Sequence, residues 1–258
     1  MRIHRGELIW GGLLILAGTL FLLNTLGILS FNIWTLIWPL FLIGAGLSIL
    51  LAHRVTEGET ERLMLPLEGA ESAQIHIEGM AGELRLGAGR EERADALMTG
   101  DFVGGVEFST RREGGVLRVR MSSRAWFGSG RWDVGVKRGV PLEIKLDGAA
   151  GPAWLDLTDL HVTRFKADGR LGALHVRMPA RVPFTTAKID GSVGDITVEI
   201  PQGVAASITV DQGLGKVTVN PERFPMVGDK QYRSPDYETA PYRLELKIDA
   251  AVGMVSVR

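Results

Sequence analysis

The chain has 258 residues, a formal net charge of -1 and no cysteine. The absence of cysteine excludes disulfides, thiolate metal sites and cysteine nucleophiles. The near-zero charge argues against a nucleic-acid partner, because such proteins neutralise phosphates with an excess of basic residues. Hydrophobic residues make up 45% of the chain and are concentrated at its N-terminus. The two parts of the chain therefore need separate explanations.

The N-terminal part predicts a membrane hairpin. Residues 8–26 and 33–52 carry no charge, and each run is long enough, at about 1.5 Å per residue, to cross a hydrocarbon core of about 30 Å. Because only residues 27–32 connect the runs, the two helices must lie antiparallel. We therefore predict two transmembrane helices within residues 1–55, with the lipid bilayer as their surroundings.

The hairpin also predicts a packing face and an orientation. Gly44 and Ser48 lie four residues apart, on one face of the second helix, where small residues allow close helix contact. Glycine is also common in membrane helices without such a role. Arg2 and Arg5 precede the first helix and Arg54 follows the second. This distribution of positive charge predicts a multi-pass membrane protein with both termini in the cytoplasm.

A polar linker is predicted at residues 56–70, and residues 71–258 contain an internal repeat of about 21 residues. Each copy reads as an alternating strand, a glycine-bearing turn and a second alternating strand, most clearly at 189–198 and 210–219. Alternation directs one set of apolar side chains to one face, which a stack of copies can bury and a single copy cannot. We predict an all-β repeat domain that forms a single-stacked β-solenoid. A β-sandwich is the alternative, because glycine turns could also reverse the strands.

Two segments, residues 122–138 and 222–242, interrupt the repeat and are rich in aromatic residues. Insertions in repeat proteins emerge as loops, often on the binding face. These aromatic side chains are predicted either to anchor a protein partner or to fold back as caps over the core. The residues are Trp126, Phe127, Trp132, Tyr232 and Tyr237.

Charged residues recur at fixed places in the repeat. Four lysines lie at one outward register, namely Lys145, Lys166, Lys188 and Lys247. Stacking would bring like charges to a spacing of about 4.8 Å. Either outward acids neutralise the lysines, or this face binds an anionic surface such as lipid headgroups or an acidic partner. An acid also precedes most of the turns, which favours a turn-forming role over calcium binding.

No pattern in the chain predicts catalysis. Residues 213–218 do not meet the phosphate-loop spacing, and the five histidines form no H-E-x-x-H motif. We therefore expect a protein that is not an enzyme and uses no cofactor or metal. Residues 254–258 read as an uncapped terminal strand, which adds the hypothesis of self-assembly into homo-oligomers.

The hairpin is similar to the LiaI-LiaF-like transmembrane region of bacterial envelope proteins. The resemblance is carried by residues 12–27, which end in Leu-Asn-x-Leu-Gly, and by residues 38–46, which open with Trp-Pro. The rest of the chain resembles toast-rack and adhesin-like β repeats, through its Asp-Gly-x-x-Gly turns and alternation.

The resemblance implies a bacterial inner-membrane protein with a cytoplasmic β domain. The family includes modulators of envelope-stress signalling through a histidine kinase. This chain departs from LiaF in having two predicted spans rather than four, so kinase inhibition is not carried over, nor is any catalytic residue. The resulting hypothesis is an envelope-stress sensor, regulator or scaffold that acts by protein–protein binding. An outward-facing adhesin-like module is the alternative.

Overall fold

The computed structural model describes residues 42–43, 60–89, 95–123 and 130–258. The chain divides into two compact parts, residues 1–54 and 55–258. In the first part only Leu42 and Ile43 are described, and both are helical and exposed. Over the described ranges no helix has the length and apolarity required to span a membrane. The predicted hairpin contacts of Gly44 and Ser48 lie outside the described residues.

The second part is built from strands joined by short turns. Its described residues form seventeen strands: β1 (Glu61–Pro66), β2 (Ser72–Glu78), β3 (Gly82–Ala88), β4 (Ala96–Val103), β5 (Val106–Glu113), β6 (Val116–Ser123), β7 (Gly130–Val136), β8 (Leu142–Asp147), β9 (Ala153–Asp156), β10 (Val162–Asp168), β11 (Leu174–Arg177), β12 (Phe184–Val193), β13 (Ile196–Glu199), β14 (Ala205–Val219), β15 (Met226–Gly228), β16 (Gln231–Arg233) and β17 (Arg243–Val257).

Most strands belong to two ladders of parallel strands. The first ladder has the order β6–β2–β8–β10–β12–β17–β14. The second has the order β7–β3–β9–β11–β13–β17–β14. The long strands β14 and β17 take part in both ladders, and elsewhere two consecutive strands supply one member each. We call such a two-strand segment, or β14 or β17 alone, a repeat, and the described residues contain seven repeats.

The spatial order of the repeats differs from their order in the sequence at both ends. The first repeat, β2 with β3, lies second in the stack, inside β6 with β7. The last repeat, β17, lies second from the other end, between β12 with β13 on one side and β14 on the other. The prediction that the terminal strand is an uncapped edge is therefore wrong, because β17 has a neighbour on each side.

Antiparallel strands extend both ladders at the end of the stack formed by β6 and β7. Strand β5 pairs with β6, β4 pairs with β7, and β1 pairs with β4. Part of the predicted linker is thus the strand β1, whose Leu63 and Leu65 contact the core. At the other end of the stack, β16 pairs with β14 over Ser207–Thr209, and β15 pairs with β16.

The two predicted interruptions differ in structure. Residues 222–242 lie outside the parallel ladders, as expected, and contain β15 and β16. The interruption predicted at 122–138 is wrong for residues 130–136, because these form β7 in continuous register with β3. The alternation of Trp132, Val134 and Val136, all buried, marks this strand as part of the repeat.

The core lies between the two ladders and contains the apolar positions expected from alternation. Ile144, Phe165 and Ile189 of the first ladder, and Val176 and Val198 of the second, are at most 1% exposed. Each buried residue is flanked by outward polar neighbours, so the strands read as half-buried.

A row of glycines runs along the turns between the ladders. Gly172 has a φ of +122°, and a Cβ at this position would lie 2.8 Å from the carbonyl oxygen of Gly151. At Gly194, Gly253 and Gly215, which follow Gly172 in the row, a Cβ would lie even closer to the carbonyl oxygen of the preceding glycine. The row runs Gly130, Gly82, Gly151, Gly172, Gly194, Gly253 and Gly215. Only glycine allows the turns to approach this closely.

Candidate functional site

The four predicted lysines lie at one register of the first ladder. Lys166 is directly opposite Lys145 on one side and Lys188 on the other, and Lys188 is opposite Lys247. An acid ladder lies two residues further along the same strands and face, in the stacking order Glu78, Asp147, Asp168, Asp190, Asp249 and Asp211. The geometry therefore places a cationic row directly beside an anionic row.

Ion pairs join the two rows. The Nζ–Oδ2 distances are 2.7 Å for Lys145 and Asp147, 2.5 Å for Lys166 and Asp168, and 2.6 Å for Lys188 and Asp190. The hydrogen bond from Lys145 holds the pKa of Asp147 below its ordinary value. That bond also raises the pKa of Lys145. Of the two readings of this face, neutralisation by outward acids is the one with observed contacts.

Asp211, the last residue of the acid ladder, also forms an ion pair, with Lys230. A hydrogen bond from Lys230 and, more weakly, the charge of Lys247 lower the pKa of Asp211. The Nζ of Lys230 lies 2.7 Å from Oδ1 of Asp211. Throughout the part of the chain that is described, no three His, Cys, Asp or Glu side chains are grouped as metal ligands.

The predicted aromatic residues do not form one surface. Trp126 and Phe127 lie outside the described residues. Trp132 is only 1% exposed and packs edge-on against Phe102, with ring centroids 5.5 Å apart. A partner-anchoring role is therefore wrong for Trp132, which belongs to the repeat and faces the core.

The two predicted tyrosines lie at the β14 end of the stack. Tyr232 of β16 is opposite Ile208 and is partly buried against the core, as a cap would be. Tyr237 is half-buried beneath Arg233, whose guanidinium carbon is 5.4 Å from the ring centroid. Burial raises the pKa of Tyr237.

A different aromatic residue stands on the outer face of the second ladder. Trp154 of β9 is 43% exposed. It lies between Arg85 of β3 and His175 of β11, because these positions are register partners across three adjacent strands. The guanidinium carbon of Arg85 lies 5.7 Å from the Trp154 ring centroid, a cation–π arrangement.

Trp154 borders a cleft with a volume of about 450 Å³. Gly87 contributes no side chain to this cleft, and its neighbour across the ladder is Asp156. Arg177 of β11 and Asp133 of β7 complete the charged margin. The cleft thus combines an exposed indole with guanidinium and carboxylate groups on a rigid sheet.

An ionic network fixes one margin of the Trp154 cleft. Glu199 of β13 accepts hydrogen bonds from Arg258, from Nε of Arg177 at 2.9 Å and from Nε2 of His175 at 3.1 Å. Arg177 also donates to Asp156 at 3.3 Å. Hydrogen bonds from Arg258 and then Arg177 lower the pKa of Glu199 to about 2.

Trp154 is not among the binding residues predicted from the sequence. The available signal was a tryptophan at an outward position of an alternating strand. Its neighbour Arg85 is distant in sequence, so no local pattern could have joined the two.

A second titratable group with a strongly displaced pKa lies in the core. Arg170 is 1% exposed and donates from Nη2 to the carbonyl of Gly151 at 2.9 Å. Burial lowers its pKa to about 10. Among the described residues, its Nε and Nη1 have no hydrogen-bond partner.

Comparison with known proteins gives matches for both parts of the chain. Residues 8–50 match the LiaI-LiaF-like transmembrane region. Residues 54–198 match the N-terminal domain of toast_rack, DUF2154. No curated protein matches the chain.

Two solved structures are similar to it. One is a "putative cell adhesion protein" from Clostridium sporogenes, with a TM-score of 0.67 and 20% sequence identity, covering 77% of this chain and 98% of that one. The other is a "putative adhesin" from Bacteroides fragilis, with a TM-score of 0.30 and 7% identity, covering 78% of this chain and 97% of that one.

The two family matches agree with the resemblance seen in the sequence. The first solved structure shares the mostly-β fold of the described strands, and the match at residues 8–50 associates the chain with a membrane. The toast_rack match extends over more than half of the chain. The chain belongs to the family defined by the N-terminal domain of toast_rack, DUF2154, and carries a LiaI-LiaF-like transmembrane region before it.

Proposed function

We propose that this chain is a non-enzymatic, membrane-anchored binding protein that acts as an envelope-stress sensor, regulator or scaffold. Its β domain binds a protein partner through the Trp154 cleft. The observation that carries the proposal is the 43% exposure of Trp154 beside Arg85, on the outer face of the second ladder and in a cleft that Arg177 also lines.

The chemistry of the cleft favours a protein partner. Tryptophan and arginine are the residues that most often dominate the energy of protein–protein interfaces, especially when they are surrounded by groups that exclude water. Trp154 supplies the apolar area, and Arg85 and Arg177 supply planar donors. Asp133 and Asp156 form a polar margin. A partner segment with an apolar side chain flanked by an acid and a base would complement this arrangement.

The architecture we propose for the β domain is a β-solenoid. Its support is the pairing of successive repeats in parallel and in register, with one close glycine approach per turn. Such a stack holds outward residues at a fixed spacing of about 4.8 Å per strand. It therefore presents Arg85, Trp154 and His175 as one preorganised surface.

A role in binding rather than catalysis also fits the two strongly displaced pKa values. Glu199 is held by cations at the margin of the cleft, and Arg170 lies within the core. The ion pairs of Glu199 stabilise the fold, and the buried charge of Arg170 destabilises it. Neither places a free acid or base beside an open reaction site.

The proposed orientation puts both termini in the cytoplasm, at the inner membrane. The second candidate function is an outward-facing adhesive module, suggested by the name of the similar Clostridium sporogenes structure. C-terminal reporter fusions that are active only in the cytoplasm or only outside it separate these candidates. A fusion active outside the cytoplasm would favour the adhesive module.

Replacement of Trp154 tests the binding site in cells. We expect Trp154→Ala to alter the transcriptional response to cell-wall antibiotics as deletion of the whole protein does, with protein abundance unchanged. Phe184→Ala is the matched control, because Phe184 is also 43% exposed and lies on β12 of the other ladder. Equal responses of the two variants, both like the unaltered protein, would refute the role of Trp154.

A further inference from the structure

The two ends of the stack are covered to different extents. At the β6 and β7 end, antiparallel strands extend both ladders. At the β14 end, β16 covers β14 only over Ser207–Thr209. Within the ranges described by the structure, residues 211–219 of β14 pair with β17 alone. The second ladder therefore ends in an uncovered strand edge.

The backbone of this edge can accept another strand. Asn220 donates its N–H to the carbonyl of Val257 at 3.0 Å, across the ladder. The backbone N–H and C=O groups of successive residues point to opposite sides of a strand, so those of Thr218 and Lys216 also point towards β17. The N–H and C=O groups of Gly215, Val217 and Val219 consequently point away from the stack. Unpaired edges of this kind are templates for strand addition.

Apolar side chains at this end are less covered than their counterparts within the stack. Val217 and Val219 are half-buried, whereas their register partners Val255 and Val257 are each 1% exposed. Leu214 is 69% exposed, whereas its register partner Val252 is 44% exposed. A further strand beside β14 would remove this apolar surface from water.

We propose that the uncovered half of β14 pairs antiparallel with the same segment of a second copy of this chain. Centred on Val217, the pairing places Val217 opposite Val217 and Gly215 opposite Val219. It would form about six backbone hydrogen bonds between the outward groups. This inference is independent of the Trp154 cleft, which lies on a face of the ladder rather than at its edge.

The charges of the segment favour this occupant and this register. Lys216 faces Thr218 of the second copy, so no like charges are opposed. A register centred on Lys216 would place two lysines directly opposite each other, which is unfavourable. The edge of β5, by contrast, carries Arg111, Arg112 and Glu113 over its last residues, a pattern that discourages strand addition.

The test measures association of the full chain in detergent micelles by sedimentation over a range of concentrations. We expect a reversible dimer. Thr218→Glu should tighten it by about fivefold and Thr218→Lys should weaken it by about fivefold, because two symmetric contacts with Lys216 are changed. The matched controls are Thr197→Glu and Thr197→Lys, at an outward register position inside the ladder. These two substitutions should leave association unchanged.

Val217→Pro provides a second measurement. Proline is tolerated at an edge where the N–H faces solvent, so the circular dichroism spectrum should be retained while the dimer is lost. A monomer at all concentrations would overturn the proposal. So would a dimer that persists in folded Val217→Pro and responds equally to the Thr218 and Thr197 substitutions, because association would then use another surface.

Discussion

The glycine row predicts that one added methyl group is costly at a turn inside the stack. In Gly172→Ala, the new Cβ would lie 2.8 Å from the Gly151 carbonyl oxygen and 2.9 Å from its carbon. The φ of +122° is also a conformation that L-residues avoid, at a cost of about 1–3 kcal/mol. Gly151 cannot retreat, because its own turn is packed against that of Gly82.

The steric and conformational effects together should lower the free energy of unfolding by about 3–5 kcal/mol, a large share of the roughly 5–15 kcal/mol of an ordinary domain. Thermal unfolding followed by circular dichroism should show a decrease in Tm of about 10 °C, at roughly 2–4 °C per kcal/mol for a domain of this size.

Gly139→Ala is the control for the backbone conformation alone. Gly139 has a φ of +76°, and a Cβ there would meet nothing within 4 Å. We expect a loss of about 1–2 kcal/mol from the left-handed conformation only. Equal decreases in Tm for the two variants would refute the close approach of the turns in the stack.

Three further predictions concern charged groups. Arg170→Met should raise the free energy of unfolding by about 1–3 kcal/mol in urea titrations at pH 7. Burial lowers the pKa of Arg170 to about 10. The buried positive charge therefore destabilises the fold fully below that pH, and less as the pH rises above it. An Arg170→Met variant that is less stable than the unaltered protein would contradict this. Glu199→Gln should lower stability at pH 7 but not near pH 2. The pKa of Glu199 is lowered to about 2, so its carboxylate stabilises the fold at pH values above the pKa it has in the unfolded chain, and this stability is lost as the pH falls through about 2. A stability difference between Glu199→Gln and the unaltered protein that is constant with pH would argue against the network. Lys145→Gln should raise the pKa of Asp147 in an NMR titration, since the pair's hydrogen bond is removed, and an unchanged pKa would exclude that bond in solution.

Features set by local pattern could be predicted from the sequence. The alternation of Ile196 with Val198, and of Ile208 with Val210, identified residues that the structure buries to between 0% and 2% exposure. The acids before the turns and the lysines two residues earlier also followed from the repeat itself. Periodicity reports which face a side chain occupies, and that face decides burial.

Features set by contacts between distant segments could not be predicted in this way. The position of β17 between β13 and β14 leaves no mark in its own sequence, because any two repeats have compatible strands and glycines. Strand β7 was missed because residues outside the repeat precede it. The proximity of Arg85 to Trp154 likewise depends on which repeats are neighbours.

The order of the repeats is the claim on which both proposed surfaces depend, and engineered cysteine pairs in this cysteine-free chain test it directly. Thr197 of β13 is the register partner of Ser256 in β17, and Ser256 is in turn the partner of Thr218 in β14. Adjacent strands, about 4.8 Å apart, lie within disulfide range, whereas strands two apart exceed the limit of about 7 Å. We predict that a Thr197→Cys, Ser256→Cys variant forms a disulfide under mild oxidation and that a Thr197→Cys, Thr218→Cys variant does not. A disulfide in the second variant and none in the first would show that the repeats stack in sequence order, contradicting the account.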